Sequence, residues 1–547
     1  MPQGHTRCRG KHDREEEPPY GDTRCAEKQR REEETMAYEI FGAIRIGSLR
    51  QELCIYQIGP SSRMKLLDRA AAVLPLGAET VSRRQLSAKS VEELCAVLSG
   101  FLEVMKSYKT GAFRAYATMA LRDASNVDIV IDQIKVRTGI QVSVISNSEQ
   151  RFLNYKALAA QNDAFDETIR TGTMIVDAGY GSMQFSLFDK GTLVSTENIP
   201  LGPMRLLNTF REMRFTDEQL REHVAELAEV ELGNYKKLYL KNREIEHIVG
   251  IGETVNELFT KGGGLGTKAQ HLAAEDALSL CRRICCMTAD ELDALFSGGR
   301  EYAQLMLATA IACERMIRKI GCRDLWFPRT HFCDGVAAEY AEKQKYLKLS
   351  HNFENDIVAE ARNMAKRYRV GAEHADMVER YVLAVFDAVR KISGLSRRDR
   401  LLLQIAAILH TCGKFISIKN GTECSYQVIR NTEMIGLSHA ERELIAETVR
   451  YHTGEFDYHE AARIGNPVRM AKMTAILSLA NALDRSHKGQ LQDVRAHVDE
   501  TAGEFVIMTG CAEDLTLERL SIRQRGAFFE EIYGLRPVLH QKKGSMT

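Results

Sequence analysis

Short hydrophobic runs that end at a glycine recur three times in the first half of the chain. The runs and their glycines are Ile40–Ile46 with Gly47, Met174–Ala178 with Gly179, and His247–Ile251 with Gly252. A second apolar run follows the first two glycines, at 53–58 and 185–188. This order predicts two β-hairpins, and the third run predicts a strand that ends in a turn.

Between the hairpins, apolar residues recur with helical spacing, as over Val91–Met105 and Asp128–Thr138. That spacing predicts amphipathic helices. Strands and helices that alternate along a chain are typical of an α/β fold. Because each half opens on a glycine-turned hairpin, we expect two related α/β subdomains, at residues 37–160 and 161–345.

Long amphipathic stretches replace this alternation after about residue 350. They are Asn352–Arg369, Ala375–Ser393, Arg397–His410, His439–His452 and Arg469–His487. Such a succession predicts an all-helical domain over residues 350–490. Strand-like alternation returns beyond it, at Val494, His497, Phe505–Met508 and Leu515–Leu517, together with one more helix. We therefore expect a small α/β cap at residues 491–547.

The composition of the 547 residues, 44% hydrophobic and 27% charged, is that of a globular protein with more than one core. Residues 1–35 differ, with eight basic and nine acidic residues and almost no aliphatic ones. Such a segment cannot bury enough surface to offset its ordering entropy, so we expect a disordered tail. Met36 leads directly into strand-like sequence, which leaves open whether translation starts at Met1 or Met36.

The charges balance, with 74 Lys and Arg against 74 Asp and Glu. A chain without a broad basic field is not expected to bind nucleic acid or an anionic membrane. No apolar run approaches the ~20 residues of a membrane span, and the N-terminus has no apolar signal segment. The thirteen cysteines include no CxxC pair, which favours reduced thiols in the cytoplasm over a metal site.

Several blocks of the chain, over about residues 38–540, resemble the exopolyphosphatase/guanosine pentaphosphate phosphohydrolase family. AIRIGSLRQEL (43–53) is similar to that family's AIDIGSNSVRL, TGIQVSVISNSEQRFLNY (138–155) to TGIxIxIISGxEEAxLxY, IVDAGYGSMQFSLF (175–188) to VVDIGGGSTELVLF, and IVGIGETVNEL (248–258) to LVGVGGTxxxL. AAILHTCGKF (406–415), RYHTG (450–454) and LSLANALDRS (477–486) resemble its HD-type helical domain. The resemblance implies two actin-like subdomains of the sugar kinase/Hsp70/actin type, an HD-like all-helical domain, and hydrolysis of terminal phosphates.

Carboxylates that hold Mg²⁺ and activate water in that family are replaced here. Arg45 stands where the family has an aspartate, and Gln150 and Gln184 stand where it has glutamates. A glutamine amide cannot serve as a general base, and a guanidinium repels Mg²⁺ although it suits a phosphate. The catalytic carboxylates that remain are Glu149 and Asp177. We therefore expect no metal site, with Mg²⁺ as a cofactor only if the protein is active.

The glycine turns keep the family pattern, and backbone N–H groups in such turns can cradle a phosphate. The expected phosphate ligands are Arg45, Gly47, Ser48, Gly179, Gly181, Ser182, Gly252 and Thr254. The expected ligand is polyphosphate or a guanosine polyphosphate nucleotide, and the sequence does not decide between them. It is also compatible with a homodimer.

Three interpretations stay open. The chain can be a binding or regulatory protein with weak or lost hydrolysis, an active phosphohydrolase, or a scaffold with neither property. Glu149 can be a catalytic carboxylate or a helix cap after Ser146. In the helical domain, Thr411 and Asn481 stand at the acidic positions of an HD site, so we expect His374 and His410 to be packed core histidines.

The composition of the tail generates a first prediction. A chain that starts at Met36 should melt at the same temperature as the full chain, because a charge-dense segment without aliphatic residues adds nothing to a core. Differential scanning fluorimetry on both chains measures this. A large drop in Tm on truncation would show that the segment packs on the folded part.

Overall fold

The computed structural model describes residues 38–541, apart from 61–62, 162–164, 211–212, 214 and 263–269. The tail expected at residues 1–35 lies outside the described residues. Two actin-like subdomains come first, and a helical domain and a small sheet follow them. None of the helices in the described ranges is long and apolar enough to cross a membrane.

The first subdomain is built on a five-stranded sheet with strand order β3-β2-β1-β4-β5. Its strands are β1 (Glu39–Ile46), β2 (Arg50–Gly59), β3 (Arg63–Val73), β4 (Ala112–Ala117) and β5 (Val142–Val144). Its helices are α1 (Leu76–Arg83), α2 (Ala88–Ser107), α3 (Met119–Arg122), α4 (Val127–Thr138) and α5 (Asn147–Gln161). The hairpin predicted at the start of the chain is β1–β2, whereas β3 has little alternation and was not predicted.

Strand β1 is buried on both faces. Ile44 and Ile46 join the apolar cluster that includes residues of α2, and Phe41 and Ala43 join a cluster on the opposite side. Side chains alternate between the faces of a strand, so Arg45 shares the face of Phe41 and Ala43 at the end of β1.

The second subdomain contains a six-stranded sheet with strand order β10-β11-β9-β6-β7-β8. Its strands are β6 (Thr173–Ala178), β7 (Met183–Asp189), β8 (Thr192–Ile199), β9 (His247–Ile251), β10 (Gln270–Ala273) and β11 (Asp324–Phe327). Its helices are α6 (Phe165–Thr168), α7 (Pro203–Thr209), α8 (Asp217–Tyr235), α9 (Glu253–Glu257), α10 (Ala274–Cys285), α11 (Ala289–Phe296) and α12 (Gly299–Ile320), with π turns at Lys236–Leu240 and Leu258–Gly262. A further helix, α13 (Phe332–Lys343), follows β11 and packs against β1 and β2 of the first subdomain. The predicted hairpin β6–β7 and the predicted strand β9 lie side by side in this sheet.

Five helices of the helical domain coincide with the predicted stretches, and two, at Gly421–Asn431 and Tyr458–Ile464, were not predicted. Its helices are α14 (Phe353–Arg367), α15 (Ala372–Ser393), α16 (Arg397–Leu409), α17 (Gly421–Asn431), α18 (His439–Tyr451), α19 (Tyr458–Ile464) and α20 (Pro467–Ala482), with a 3₁₀ turn at Cys412–Phe415. Reciprocal side-chain caps begin two of them, Ser396 with Asp399 on α16 and Ser438 with Glu441 on α18.

The C-terminal cap is a three-stranded sheet with one helix. It comprises β12 (Arg495–Asp499), β13 (Glu504–Thr509), α21 (Thr516–Tyr533) and β14 (Arg536–Gln541). The alternation read at Leu515–Leu517 was wrong as a strand signal, because α21 begins there. The carboxylate of Asp514 accepts a hydrogen bond from the N–H of Thr516 at 3.0 Å and fixes this helix start.

His374 and His410 are both buried in the helical domain, and their Nε2 atoms lie 3.1 Å apart. Nδ1 of His374 lies 2.6 Å from Oδ2 of Asp484, and Nδ1 of His410 lies 2.7 Å from the carbonyl oxygen of Ala407. The sequence comparison placed Asn481 at the acidic position. The carboxylate beside His374 instead comes from Asp484, just beyond the end of α20, so the pair does have an acidic partner.

A close contact between α5 and α13 generates a stability prediction. A Cβ atom on Gly335 would lie 1.9 Å from the carbonyl oxygen of Leu153. We expect Gly335→Ala to lower the free energy of unfolding by about 1–3 kcal/mol, because overpacking outweighs the better helix propensity of alanine. Urea denaturation measures the change.

Gly100 provides the matched control, since it is an exposed glycine within α2 and a Cβ added there would meet no atom within 4 Å apart from the backbone of its own helix and its chain neighbours. Gly100→Ala should raise the stability by about 1 kcal/mol through helix propensity alone. Equal effects of the two substitutions would contradict the packing argument.

Candidate functional site

A cavity of about 380 Å³ opens where the ends of β1, β6 and β9 approach each other. Both subdomains line it, through Arg45 and Glu52 on one side and through Asp177, Gly252 and Glu253 on the other. The carboxyl ends of parallel strands are the usual place for a ligand in an α/β sheet. This cavity is therefore the candidate site.

The turn after β1 uses its backbone groups internally. The N–H of Gly47 points to the carbonyl of Arg50 at 3.2 Å and to Oε1 of Gln51 at 2.9 Å. Ser48 is buried, and its carbonyl accepts a hydrogen bond from the N–H of Gly77 at 2.8 Å. The Gly47 N–H thus serves to close the hairpin.

The turns after β6 and β9 pack tightly against each other. The N–H of Gly179 donates to the carbonyl of Ser182 at 3.0 Å, and the hydroxyl of Thr254 donates to the carbonyl of Ala178 at 2.9 Å. Gly252 has a φ of +102°, and a Cβ there would lie 2.4 Å from the oxygen of Ala178. Only glycine fits this approach without strain.

The expected phosphate ligands in these two turns divide between the cavity wall and the packing behind it. Gly179 and Gly252 line the cavity. Gly181 instead packs against Met119, whose terminal methyl would lie 2.6 Å from an added Cβ. Thr254 is fully buried.

Arg45 is the central cation of the site. Its Nη1 lies 3.4 Å from Oε2 of Glu52 and 3.4 Å from Oε2 of Glu253. Burial acts to raise the pKa of both carboxyls. At Glu52 the positive charges of Arg45 and Arg69 outweigh burial, and the pKa lies below its usual value. The pKa of Glu253 stays raised despite Arg45. The two carboxyls that face Arg45 therefore differ in the direction of their pKa shift.

The ionic contacts continue from Arg45 along the cavity wall. Nε of Arg50 lies 3.1 Å from Oε1 of Glu253, and Nη2 of the same side chain lies 3.3 Å from Oε2 of Glu257. Nζ of Lys261 lies 2.7 Å from Oε1 of Glu257. The side chain of Arg50 is only 32% exposed, and it bridges two carboxylates.

Asp177 lines the cavity at the end of β6. Nδ2 of Asn154 donates to its Oδ2 at 2.5 Å. Burial raises the pKa of Asp177, although Arg45 opposes this. Gln150 lines the same cavity, whereas Gln184 accepts a hydrogen bond from Nε of the buried Arg151 at 3.1 Å.

Glu149 lies at a helix cap. Its Oε2 accepts hydrogen bonds from the N–H and the hydroxyl of Ser146, both at 2.9 Å, and the hydroxyl oxygen of Ser146 in turn accepts from the N–H of Glu149. Its side chain lines a separate groove beside the helical domain rather than the cavity. The geometry therefore supports the capping interpretation and brings only Asp177 of the two expected carboxylates to the cavity.

The donor set of the cavity does not fit Mg²⁺, which needs several uncommitted hard oxygen ligands. The oxygens of Glu52, Glu253 and Glu257 already face arginine or lysine nitrogens, and Arg45 carries its charge between two of them. Among the described residues, no group of three or more His, Cys, Asp or Glu side chains is arranged to hold a metal ion.

Sequence reasoning missed the ion-paired partners of Arg45 and Arg50. One signal was available, since Arg45 and Glu52 stand directly opposite each other in the β1–β2 register and form a cross-strand pair of opposite charge. The contribution of Glu257 and Lys261 had no local signal, because they come from a segment more than 200 residues away.

Comparison with known proteins gives matches over most of the chain. A profile described as the Ppx/GppA phosphatase family matches residues 54–339, and a profile of Ppx/GppA phosphatase domain III matches residues 358–522.

Among solved structures, an exopolyphosphatase from Cytophaga hutchinsonii shares 18% identity, with a TM-score of 0.50, over 56% of this chain and 98% of its own. A Ppx/GppA family member from Aquifex aeolicus shares 20% identity, with a TM-score of 0.48, over 58% and 100%. At such identities a likeness of structure concerns the fold. The family profile covers more than half of the sequence by itself, and so the chain belongs to the Ppx/GppA phosphatase family.

Proposed function

We propose that this protein binds phosphate chains, polyphosphate or a guanosine polyphosphate, and hydrolyses them weakly or not at all. The observation that carries the proposal is the position of Arg45, whose guanidinium lies between Glu52 and Glu253 inside the cavity. A permanent cation there opposes a metal ion and favours a phosphate oxygen.

The binding half of the proposal rests on the basic side chains of the cavity lining. Five side chains with positive charge face the cavity, namely Arg45, Arg50, Arg69, Lys261 and Arg329. Nε of Arg45 is buried and has no hydrogen-bond partner among the described residues. Because the N–H groups of Gly47 and Gly179 close their own turns, arginine side chains are the main donors available to a ligand.

The catalytic half of the proposal rests on the missing base. Gln150 faces the cavity with an amide that cannot accept a proton. Loss of a positioned base typically costs about 10²–10⁴ in rate. One observation favours the alternative of an active phosphohydrolase: burial raises the pKa of Asp177 within the cavity, and a carboxylate with a raised pKa can accept a proton.

The proposal also includes a cytoplasmic location. Eleven cysteines of the described residues are free thiols, and six of them are buried, which is typical of a reducing compartment. A homodimer stays an expectation.

Hydrolysis provides the next prediction. The protein with Mg²⁺ should release phosphate from polyphosphate and from guanosine pentaphosphate at least about 10²-fold more slowly than an enzyme with its base in place. A phosphate-release assay with both substrates measures this. Turnover at ordinary enzyme rates would contradict it, and loss of that turnover in Asp177→Asn would then assign the base to Asp177.

Metal-free binding provides a further prediction. In EDTA the protein should bind a short polyphosphate, and binding should weaken as salt rises because neutralisation of charge drives it. Arg45→Asp should abolish this binding. Isothermal titration calorimetry measures both effects.

Two variants control this experiment. Arg45→Lys keeps the charge beside Glu52 and Glu253 and should retain weaker binding, which separates loss of a ligand from loss of the fold. Arg495→Asp makes the same charge change at an exposed position of the C-terminal sheet and should bind like the parent. Full binding by a folded Arg45→Asp variant would rule out Arg45 as a ligand.

A further inference from the structure

The ionic contacts of the cavity join the two subdomains. Arg45 and Arg50 belong to the first hairpin, whereas Glu253 and Glu257 belong to α9 of the second subdomain. The two oxygens of Glu253 face different arginines, Oε2 towards Nη1 of Arg45 at 3.4 Å and Oε1 towards Nε of Arg50 at 3.1 Å. One carboxylate therefore holds two cations of the opposite subdomain.

We propose that Glu253 is a built-in competitor for phosphate, which occupies the Arg45–Arg50 pair, holds the two subdomains together and restricts the cavity to ligands with several linked phosphates. This inference rests on the proposed function and deepens it, since it names the residue that sets affinity and the minimum charge of the ligand. Glu253 stands where the resembled family has a glycine.

The position of Glu253 is fixed by the turn that precedes it. Gly252 has a positive φ that places it against the carbonyl group of Ala178. The hydroxyl of Thr254 donates a hydrogen bond to that carbonyl oxygen. Because α9 is anchored in this way, the carboxylate is tethered beside the arginines and competes at a high effective concentration.

Burial strengthens this competition. The side chains of Glu253 and Arg45 are 13% and 14% exposed, so solvent and salt screen their attraction less than at a surface pair. A single phosphate brings about two charges and must displace Glu253 from both arginines at once. A chain of phosphates brings more charges and can contact Arg45, Arg50 and the other basic side chains of the lining at the same time. Its contacts therefore outweigh the loss of the Glu253 ion pairs, whereas those of a single phosphate do not.

The experiment first measures the ligand-free protein. Glu253→Gln removes the charge and keeps the shape of the side chain. We expect faster hydrogen exchange in the β1–β2 hairpin and in α9, because the link across the cavity is lost. Glu275→Gln is the matched control, since Glu275 is also acidic in the first turn of a helix, α10, but is exposed. Glu253→Ala repeats the test if the glutamine variant does not fold.

The second measurement is calorimetric titration, in EDTA, with inorganic phosphate and with tripolyphosphate. Glu253→Gln should bind tripolyphosphate about 5- to 150-fold more tightly than the parent, the usual range for coupled sites. The Glu253→Gln variant should also gain measurable affinity for inorganic phosphate. The ratio of its affinities for tripolyphosphate and for inorganic phosphate should therefore be smaller than in the parent. Glu275→Gln should match the parent with both ligands.

The outcomes separate this inference from the proposed function. If the parent binds tripolyphosphate and Glu253→Gln binds it no more tightly, the competitor role is overturned while the proposed function stands. If exchange is unchanged in Glu253→Gln, the link between the subdomains is overturned. If exchange rises but no variant binds either ligand, the competitor role and the proposed function both fail.

Discussion

The attraction between Arg45 and two carboxylates, one on the neighbouring strand β2 and one on helix α9, determines the character of this cavity. Glu52 faces Arg45 across one hairpin, and Glu253 reaches it from the other subdomain. The three side chains offset one another's charge where an open carboxylate set would otherwise attract a divalent cation. Burial opposes ionisation of both carboxyls, but Arg45 and Arg69 outweigh it at Glu52 and lower the pKa, whereas at Glu253 burial and the neighbouring carboxylates outweigh Arg45 and Arg50 and raise it.

Asp177, a carboxylate that remains at its family position, is held among the described residues by a hydrogen bond from an amide rather than by a direct ion pair. Asp177 has Asn154 as a close donor and Arg45 as a nearby charge, yet burial dominates and raises its pKa. A buried carboxyl with few compensating charges is costly, and such groups are more often kept at ligand sites than in cores. The cavity thus retains one feature of a reactive site within a set of neutralised ion pairs.

Sequence patterns could predict most of the architecture, because the glycine turns and the helical spacing are local signals. The strands β1, β6 and β9 and the long helices of the C-terminal half followed from such signals. The strand β3 did not, because RMKLLDRAAAV has few β-branched residues and its pairing with β2 decides its conformation.

The site was harder to predict than the fold. Gln150 and Asp177 do line the cavity, as their sequence positions indicated. The role of Glu149 depended on whether its carboxylate turned back to Ser146, which is a rotamer choice that no spacing specifies. The ion pairs of Glu253 depended on the packing of two subdomains, and contacts over 208 residues leave no local trace.

The contacts of His374 and His410 in the helical domain determine which of their ring nitrogens carry a hydrogen. The carbonyl of Ala407 can only accept, so Nδ1 of His410 carries a hydrogen, and its neutral ring offers a lone pair at Nε2. Burial and the neighbouring histidines lower the pKa of His410, which agrees with a neutral ring. Nε2 of His374 must then donate to it, while the other nitrogen of His374 faces the carboxyl group of Asp484. The unit of Asp484 and His374 consequently holds two hydrogens, one on each side of the imidazole, and a continuous hydrogen-bonded chain runs through the helical bundle from a carboxyl group to a peptide carbonyl.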